Sequence, residues 1–112
     1  VNTHRKGSSW RRAVTVYLEG RGWIAHVRPL GEAGDDIDAV GHGHRLSVEA
    51  KNQARTDLAG WVDQAVRQRR ALLSFPVVVA KRRGRASAGE GYAVMRLSDL
   101  LDLLEGGRDA GW

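Results

Sequence analysis

Val77-Val78-Val79-Ala80 is a continuous apolar run with Pro76 directly in front of it. A strand with apolar side chains on both of its faces has to be covered on both. The run therefore calls for a sheet with helices packed on it. The preceding segment supplies one of them. From Leu58 the apolar residues fall at 58, 61, 62, 65, 66, 72 and 73, which is helical spacing. Thr56 or Asp57 can cap the start of that helix, and Pro76 forbids its continuation.

The rest of the chain reads around this pair. Ser8 or Ser9 can cap a first helix reaching about Gly20, with Ala13, Val14, Tyr17 and Leu18 on one face and arginines on the other. Residues 23–28 read as a strand and 29–34 as a loop rich in glycine and proline. Residues 37–40 and 46–51 are two short strands joined by the turn Gly41-His42-Gly43-His44, a hairpin signal. Residues 81–91 form a basic, glycine-rich loop, 92–97 a last strand, and Ser98 caps a short helix over 99–104. The order α-β-β-β-α-β-β-α predicts an α/β fold with a mixed central sheet flanked by helices. The 112 residues suggest a single domain, with 1–7 and 105–112 as flexible tails.

Charge narrows the partners. Eighteen Lys and Arg against thirteen Asp and Glu leave a net charge of +5, which suits a polyanion, most simply nucleic acid or an anionic membrane surface. No cysteine is present, so disulfides and thiolate metal sites are excluded. No apolar run approaches the roughly 18 residues of a membrane span. The basic N-terminal stretch is not followed by the apolar core of a signal peptide. The expected setting is therefore intracellular and cytoplasmic.

Against this basic background, the acids in DDIDAVGHGHRLSVEAK, residues 35 to 51, need a reason. Side chains alternate along a strand. Asp36 and Asp38 share one side, and Ile37 and Ala39 the other. On the next strand Ser47, Glu49 and Lys51 share a side opposite Leu46, Val48 and Ala50. If the hairpin pairs the strands, one face gathers Asp36 or Asp38 with Glu49 and Lys51. Neighbouring carboxylates repel and call for a cation. Mg²⁺ suits them, since it takes oxygen ligands, commonly one or two carboxylates with waters and substrate phosphate. A lysine beside such a metal can orient or deprotonate an attacking water, or neutralise charge building on phosphate. This constellation describes a metal-dependent phosphodiesterase. The competing reading of Glu49-Ala50-Lys51 is a solvated surface pair.

Further candidates surround this group. Gln64, Arg67 and Gln68 lie on the polar side of the long helix. Lys81, Arg82, Arg83 and Arg85 make a basic loop suited to clamping a nucleic-acid backbone, with affinity falling steeply as salt rises. Arg5, Lys6, Arg11 and Arg12 are read the same way; such contacts position a duplex without reading its sequence. His42 and His44 have the spacing of metal ligands, but no further histidine or cysteine joins them, and turn residues near DNA are the preferred reading. His26 is expected to line the sheet. Trp10, Trp23 and Trp61 fall on apolar faces, Trp10 being also a candidate for stacking on a base or for a subunit contact.

Taken in order, RKGSSW at 5 to 10, Arg28 eight residues before Asp36, Asp36-Ile37, and Val48-Glu49-Ala50-Lys51 thirteen residues on resemble the PD-(D/E)xK nuclease superfamily. More narrowly they resemble the archaeal-type Holliday junction resolvases and their phage relatives. The resemblance covers about residues 5 to 104 and implies a restriction-endonuclease-like fold. It makes Asp36 and Glu49 metal ligands with the Ala50 carbonyl, and Lys51 the catalytic lysine. Arg28 would approach a DNA phosphate, and Gln64 sits where some relatives bring a glutamine to the site. The implied cofactor is Mg²⁺, with Mn²⁺ as a substitute. The implied partner is a four-way DNA junction in recombination, cut by a homodimer; a phage origin would place it in the host cytoplasm. Two alternatives stay open: a nuclease of the same fold acting on flaps, nicked DNA or duplex ends, and a non-catalytic, structure-selective DNA-binding module. One departure supports the latter. The family carries a glutamate early in its first helix, where this chain reads Trp10-Arg11-Arg12. Glu19 lies too far along to replace it, which leaves Asp35 or Asp38 as the candidate third acid.

Overall fold

The computed structural model describes residues 3–29 and 31–106, and only the backbone of residues 3–6. The elements are α1 (Thr3–Gly20), β1 (Ile24–Val27), β2 (Ile37–Gly41), β3 (His44–Lys51), α2 (Leu58–Gln68), β4 (Phe75–Ala80), a 3-10 turn (Ala88–Glu90), β5 (Tyr92–Val94) and α3 (Leu97–Leu104). The five strands form one mixed sheet in the order β1-β2-β3-β4-β5. Neighbours are antiparallel except β3 and β4, which are parallel. A parallel pair needs a crossover, and α2 provides it. The fold is thus α/β, with a mixed sheet and helices on both faces. No helix among the described residues is long and apolar enough to cross a membrane.

Alternation along β4 explains its unbroken apolar run. Val77 packs with Ile37 and Val48 beneath Trp10 and Val14 of α1. Val78 and Ala80 pack on the other face beneath Trp61 and Ala65 of α2. Pro76 sits near the start of β4, before β5 begins to pair at Val78, a place where a missing N–H is tolerated. The β2–β3 hairpin closes at the Gly41–His44 pair. Its two turn residues, His42 and Gly43, have φ of 53° and 80°. Positive φ at both is the type I′ pattern, whose twist matches that of the strands.

Several expectations are corrected. The first helix starts at Thr3, inside the segment expected to be loose. Trp10 is a core residue rather than a base-stacking one: it is 3% exposed, and its Nε1 donates to the Val79 carbonyl at 3.0 Å. Trp23 is only half-buried, and packs edge-on against His42. His26 lies exposed on the outer strand. The long helix stops at Gln68, short of Leu72 and Leu73. There the Arg70 N–H donates to Ser47 Oγ (2.9 Å) and Ser74 Oγ donates to the Ala71 carbonyl (2.6 Å). These side chains offer the backbone partners other than another helical turn, and Leu72 is left 74% exposed. Asp57, in contrast, caps α2 as expected, accepting from the Gly60 N–H at 3.0 Å. β5 ends at Val94, and α3 begins at Leu97 with Arg96, not Ser98, at its cap. Residues 107–112 of the expected C-terminal tail lie outside the described residues.

Candidate active site

The register of β2 on β3 decides what the acids meet. Ile37 pairs with Val48 and Asp38 with Ser47. The Asp36 N–H donates to the carbonyl of Val48, the residue already paired with Ile37, at 3.0 Å, so Asp36 leaves the regular ladder at the start of β2, and its side chain lies against that of Glu49. Asp36, Asp38, Glu49 and Lys51 thus share the sheet face that α2 covers, and α1 covers the other. Beyond the last pairing, the Ala50 N–H has no β2 carbonyl to meet. It donates instead to Asp36 Oδ2 at 2.9 Å. The N–H and C=O of a strand residue face the same edge, so the Ala50 carbonyl is turned toward the edge that holds Asp36. Lys51 Nζ donates to Gln64 Oε1 of α2 at 2.7 Å.

Glu49 is 2% exposed. Burial pushes its carboxyl from the ordinary 4.5 up to about 8, and the charge of Asp36 pushes the same way. Lys51 opposes this, and Asp35 adds to it more weakly. At neutral pH the Asp36–Glu49 pair therefore keeps a proton. Gln68, one turn after Gln64, completes the surroundings. In the orientation that satisfies its neighbours, its amide nitrogen donates to Glu49 Oε1 (2.8 Å) and to the Gly34 carbonyl (3.2 Å).

The other two acids of the cluster are held by arginines. Asp35, 1% exposed, accepts from Arg28 Nη2 (2.9 Å) and Arg70 Nη2 (3.1 Å) through Oδ1. Its Oδ2 is buried without a hydrogen-bond partner among the described residues. Asp38 takes a two-pronged contact from Arg45, at 2.9 and 3.1 Å, and Arg70 Nε lies 3.5 Å from it. Arg28 also donates through Nε to the Asp35 carbonyl at 2.8 Å. Arg28, expected to approach a DNA phosphate, turns Nε and Nη2 to Asp35. A buried carboxylate is stable only when paired, and Arg28 is spent on that pairing. Asp38 is likewise closed as a third metal ligand, since both of its oxygens face guanidinium groups.

The remaining candidates divide by position. Gln64 reaches the site through Lys51. Lys81, Arg82 and Arg83 follow β4 and line a cleft with Lys51. Arg11 and Arg12 belong to α1 on the far side of the sheet, where Arg11 Nη1 donates to the Arg28 carbonyl at 3.1 Å. The side chains of Arg5 and Lys6 lie outside the described residues. His42 and His44 do not converge: His42 Nε2 is 2.8 Å from the Arg21 carbonyl, while His44 packs edge-on against Phe75. Gln68, a candidate with Gln64 through the four-residue spacing that places both on one helix face, does reach Glu49. One participant was missed. Arg70 had no signal, because its role depends on where α2 stops.

The donor set fits a hard divalent cation: two carboxyls in contact, that of Glu49 protonated through burial and the neighbouring Asp36, and a backbone carbonyl at the same edge. Among the described residues no group of three or more His, Asp or Glu side chains could hold a metal ion, so the carbonyl is needed. No protein-family model matches the chain, and no curated protein matches it.

Proposed function

We propose that the protein is a Mg²⁺-dependent endodeoxyribonuclease of restriction-endonuclease-like fold acting on branched DNA, most specifically a Holliday junction resolvase. The observation that carries this reading is the contact of the Asp36 and Glu49 carboxyls beside the Ala50 N–H, with Lys51 on the same face and joined to Gln64. The choice of DNA, of the junction and of a homodimer comes from the sequence resemblance. Asp36, Glu49 and the Ala50 carbonyl would hold the cation. When bound, the cation supplies charge neutralisation at the phosphodiester and lowers the pKa of water.

The chain's own groups do the rest. Glu49 gives up its proton as the site gains positive charge, which turns a carboxyl held at about 8 into a ligand. Gln64 fixes the Lys51 ammonium by its hydrogen bond. Lys51 then donates to a phosphate oxygen as negative charge accumulates there during attack by water. Lys81, Arg82 and Arg83 hold the neighbouring backbone.

A second reading, a non-catalytic DNA-binding module, is favoured by Arg11 and Arg12 standing where the resemblance places a glutamate. One experiment separates them. A four-way DNA junction and a linear duplex with the same arms are incubated with the protein in Mg²⁺ or EDTA, with Lys51→Ala and Asp36→Asn as controls. Paired, symmetric, Mg²⁺-dependent cuts in the junction alone, absent in both variants, are expected. Cuts in the linear duplex as well would replace the resolvase with a less selective nuclease. Tight junction binding with no cut under any divalent ion would sink the enzyme and leave the binding module.

A further inference from the structure

Lys51 forms one end of a cleft of about 690 Å³, inside the roughly 300–1,000 Å³ range of ligand-binding clefts. The cleft floor follows a single row of the sheet. Lys51 pairs with Ala80 and Ala80 with Tyr92, so the three side chains rise from adjacent strands on one face. Two strand spacings of ~4.8 Å set the Lys51 and Tyr92 backbones about 10 Å apart. The methyl group of Ala80 leaves a trough between them. Tyr92 is 55% exposed and lines the cleft. Asn52 and Gln53 line it as well, and Trp61 Nε1 donates to Gln53 Oε1 at 3.3 Å. Lys81, Arg82 and Arg83 add cationic side chains to the lining.

These surfaces want different chemistries. The cations want phosphate. The apolar floor and aromatic ring want a flat apolar face, and the amides want a group with donors and acceptors on its edge. A sugar–phosphate backbone satisfies only the first. A nucleobase on its sugar phosphate satisfies all three. In a paired duplex the base is stacked and its edge is taken, so the nucleotide that enters has to be unpaired.

We propose that this cleft binds one unpaired nucleotide next to the phosphodiester that Lys51 faces, with its base stacked on Tyr92. The proposal rests on the nuclease reading for the nature of the polymer and deepens it. Selectivity for branched DNA then has a local source, because a flap carries unpaired nucleotides and a pair at the centre of a junction, stacked less completely, opens more readily than one inside a continuous duplex.

The test uses the full chain in EDTA, so that nothing is cut. A short single-stranded oligonucleotide carrying one 2-aminopurine is titrated with wild type, Tyr92→Ala and Tyr92→Phe. A fully paired duplex and a four-way junction are titrated in parallel. Stacking on an aromatic side chain quenches 2-aminopurine. Wild type and Tyr92→Phe are expected to quench it and to bind the single strand alike. Tyr92→Ala is expected to lose the quenching and to bind the single strand about tenfold more weakly or worse, with duplex affinity unchanged within about twofold. Tyr92 is half-exposed, so the alanine variant should melt as wild type does, and a melting curve checks this. Equal quenching and affinity in Tyr92→Ala would overturn the proposal. In that case junction or duplex binding by wild type leaves the nuclease reading standing. Failure of wild type to bind any of the three DNAs would overturn both.

Discussion

Two pairs of acids lie within one short stretch of sheet and live under opposite rules. Asp35 and Asp38 are buried and neutralised by three guanidinium groups, those of Arg28, Arg45 and Arg70. Asp36 and Glu49 are flanked by amides, a peptide N–H and, nearby, one lysine that is itself held by Gln64. The first pair is a closed electrostatic unit that ties β1, β2, β3 and the segment after α2 to the loop before Asp36. In the second pair burial, helped by the charge of Asp36 and only partly offset by Lys51, lets Glu49 keep its proton to about 8. Burial of a charge commits a structural acid to its partners, whereas an acid meant to meet something from outside is kept without them.

The largest effect should separate the pairs by activity. Asp36→Asn is expected to lower junction cleavage by about 10³-fold or more, on the order of 4 kcal/mol of barrier, with a melting temperature close to that of wild type. Single-turnover rates and melting curves on the same preparation check this; undiminished cleavage would remove Asp36 from the chemistry. Asp35→Ala should do the reverse. It leaves Arg28 and Arg70 facing an emptied, buried position, for a loss of about 3–5 kcal/mol in urea unfolding. A loss below about 1 kcal/mol would show that the arginines do not depend on it.

The proton on Glu49 gives a pH signature. Below about pH 4.5 both folded and unfolded chains hold it, and this group's contribution to stability is fully present. As pH rises toward 8 the unfolded chain releases the proton and the folded chain retains it, so stability falls across that window. The size is on the order of a few kcal/mol. Glu49→Gln cannot ionise and should flatten that part of the slope; identical pH dependence in variant and wild type would contradict the raised carboxyl. The smallest effect concerns the loop that leads into Asp35 and Asp36. Gly34 has φ of 121°, and a Cβ there would stand 2.5 Å from the Arg28 guanidinium carbon. Gly34→Ala should cost about 1–3 kcal/mol, read as a lower urea midpoint. If Arg28→Ala is combined with it, the steric part of that cost should disappear.

Much of this architecture could be read from residue order. The apolar run at 77 to 80 required cover on both faces, and both faces are covered. Alternation through Asp36, Ile37, Asp38 and Ala39, and through Ser47 to Lys51, sorted acids from core residues before any pairing was known. The Gly-His-Gly-His turn set the hairpin, and its register followed. These features are local, since dihedral preference and side-chain alternation act over a few residues. The roles of the polar residues were less legible. Arg28 was expected beside a DNA phosphate and is found on Asp35. Asp38 was a candidate ligand and is closed by Arg45. Gln68 was one of three candidates on the polar side of the helix, and only the fold brings it to Glu49.

The helix length follows the same division. The periodicity through Leu72 and Leu73 is genuine in the sequence, yet α2 stops at Gln68, where Ser47 of β3 takes the Arg70 N–H and the Arg70 side chain turns to Asp35 and Asp38. Hydrophobic pattern is written residue by residue in the chain, and so are turns and strand faces. The partner of a charge is a long-range matter. Asp35 meets Arg70 across 35 positions, and which acid is neutralised and which is left wanting a cation is set when the folded sheet and helices bring those groups within hydrogen-bonding distance.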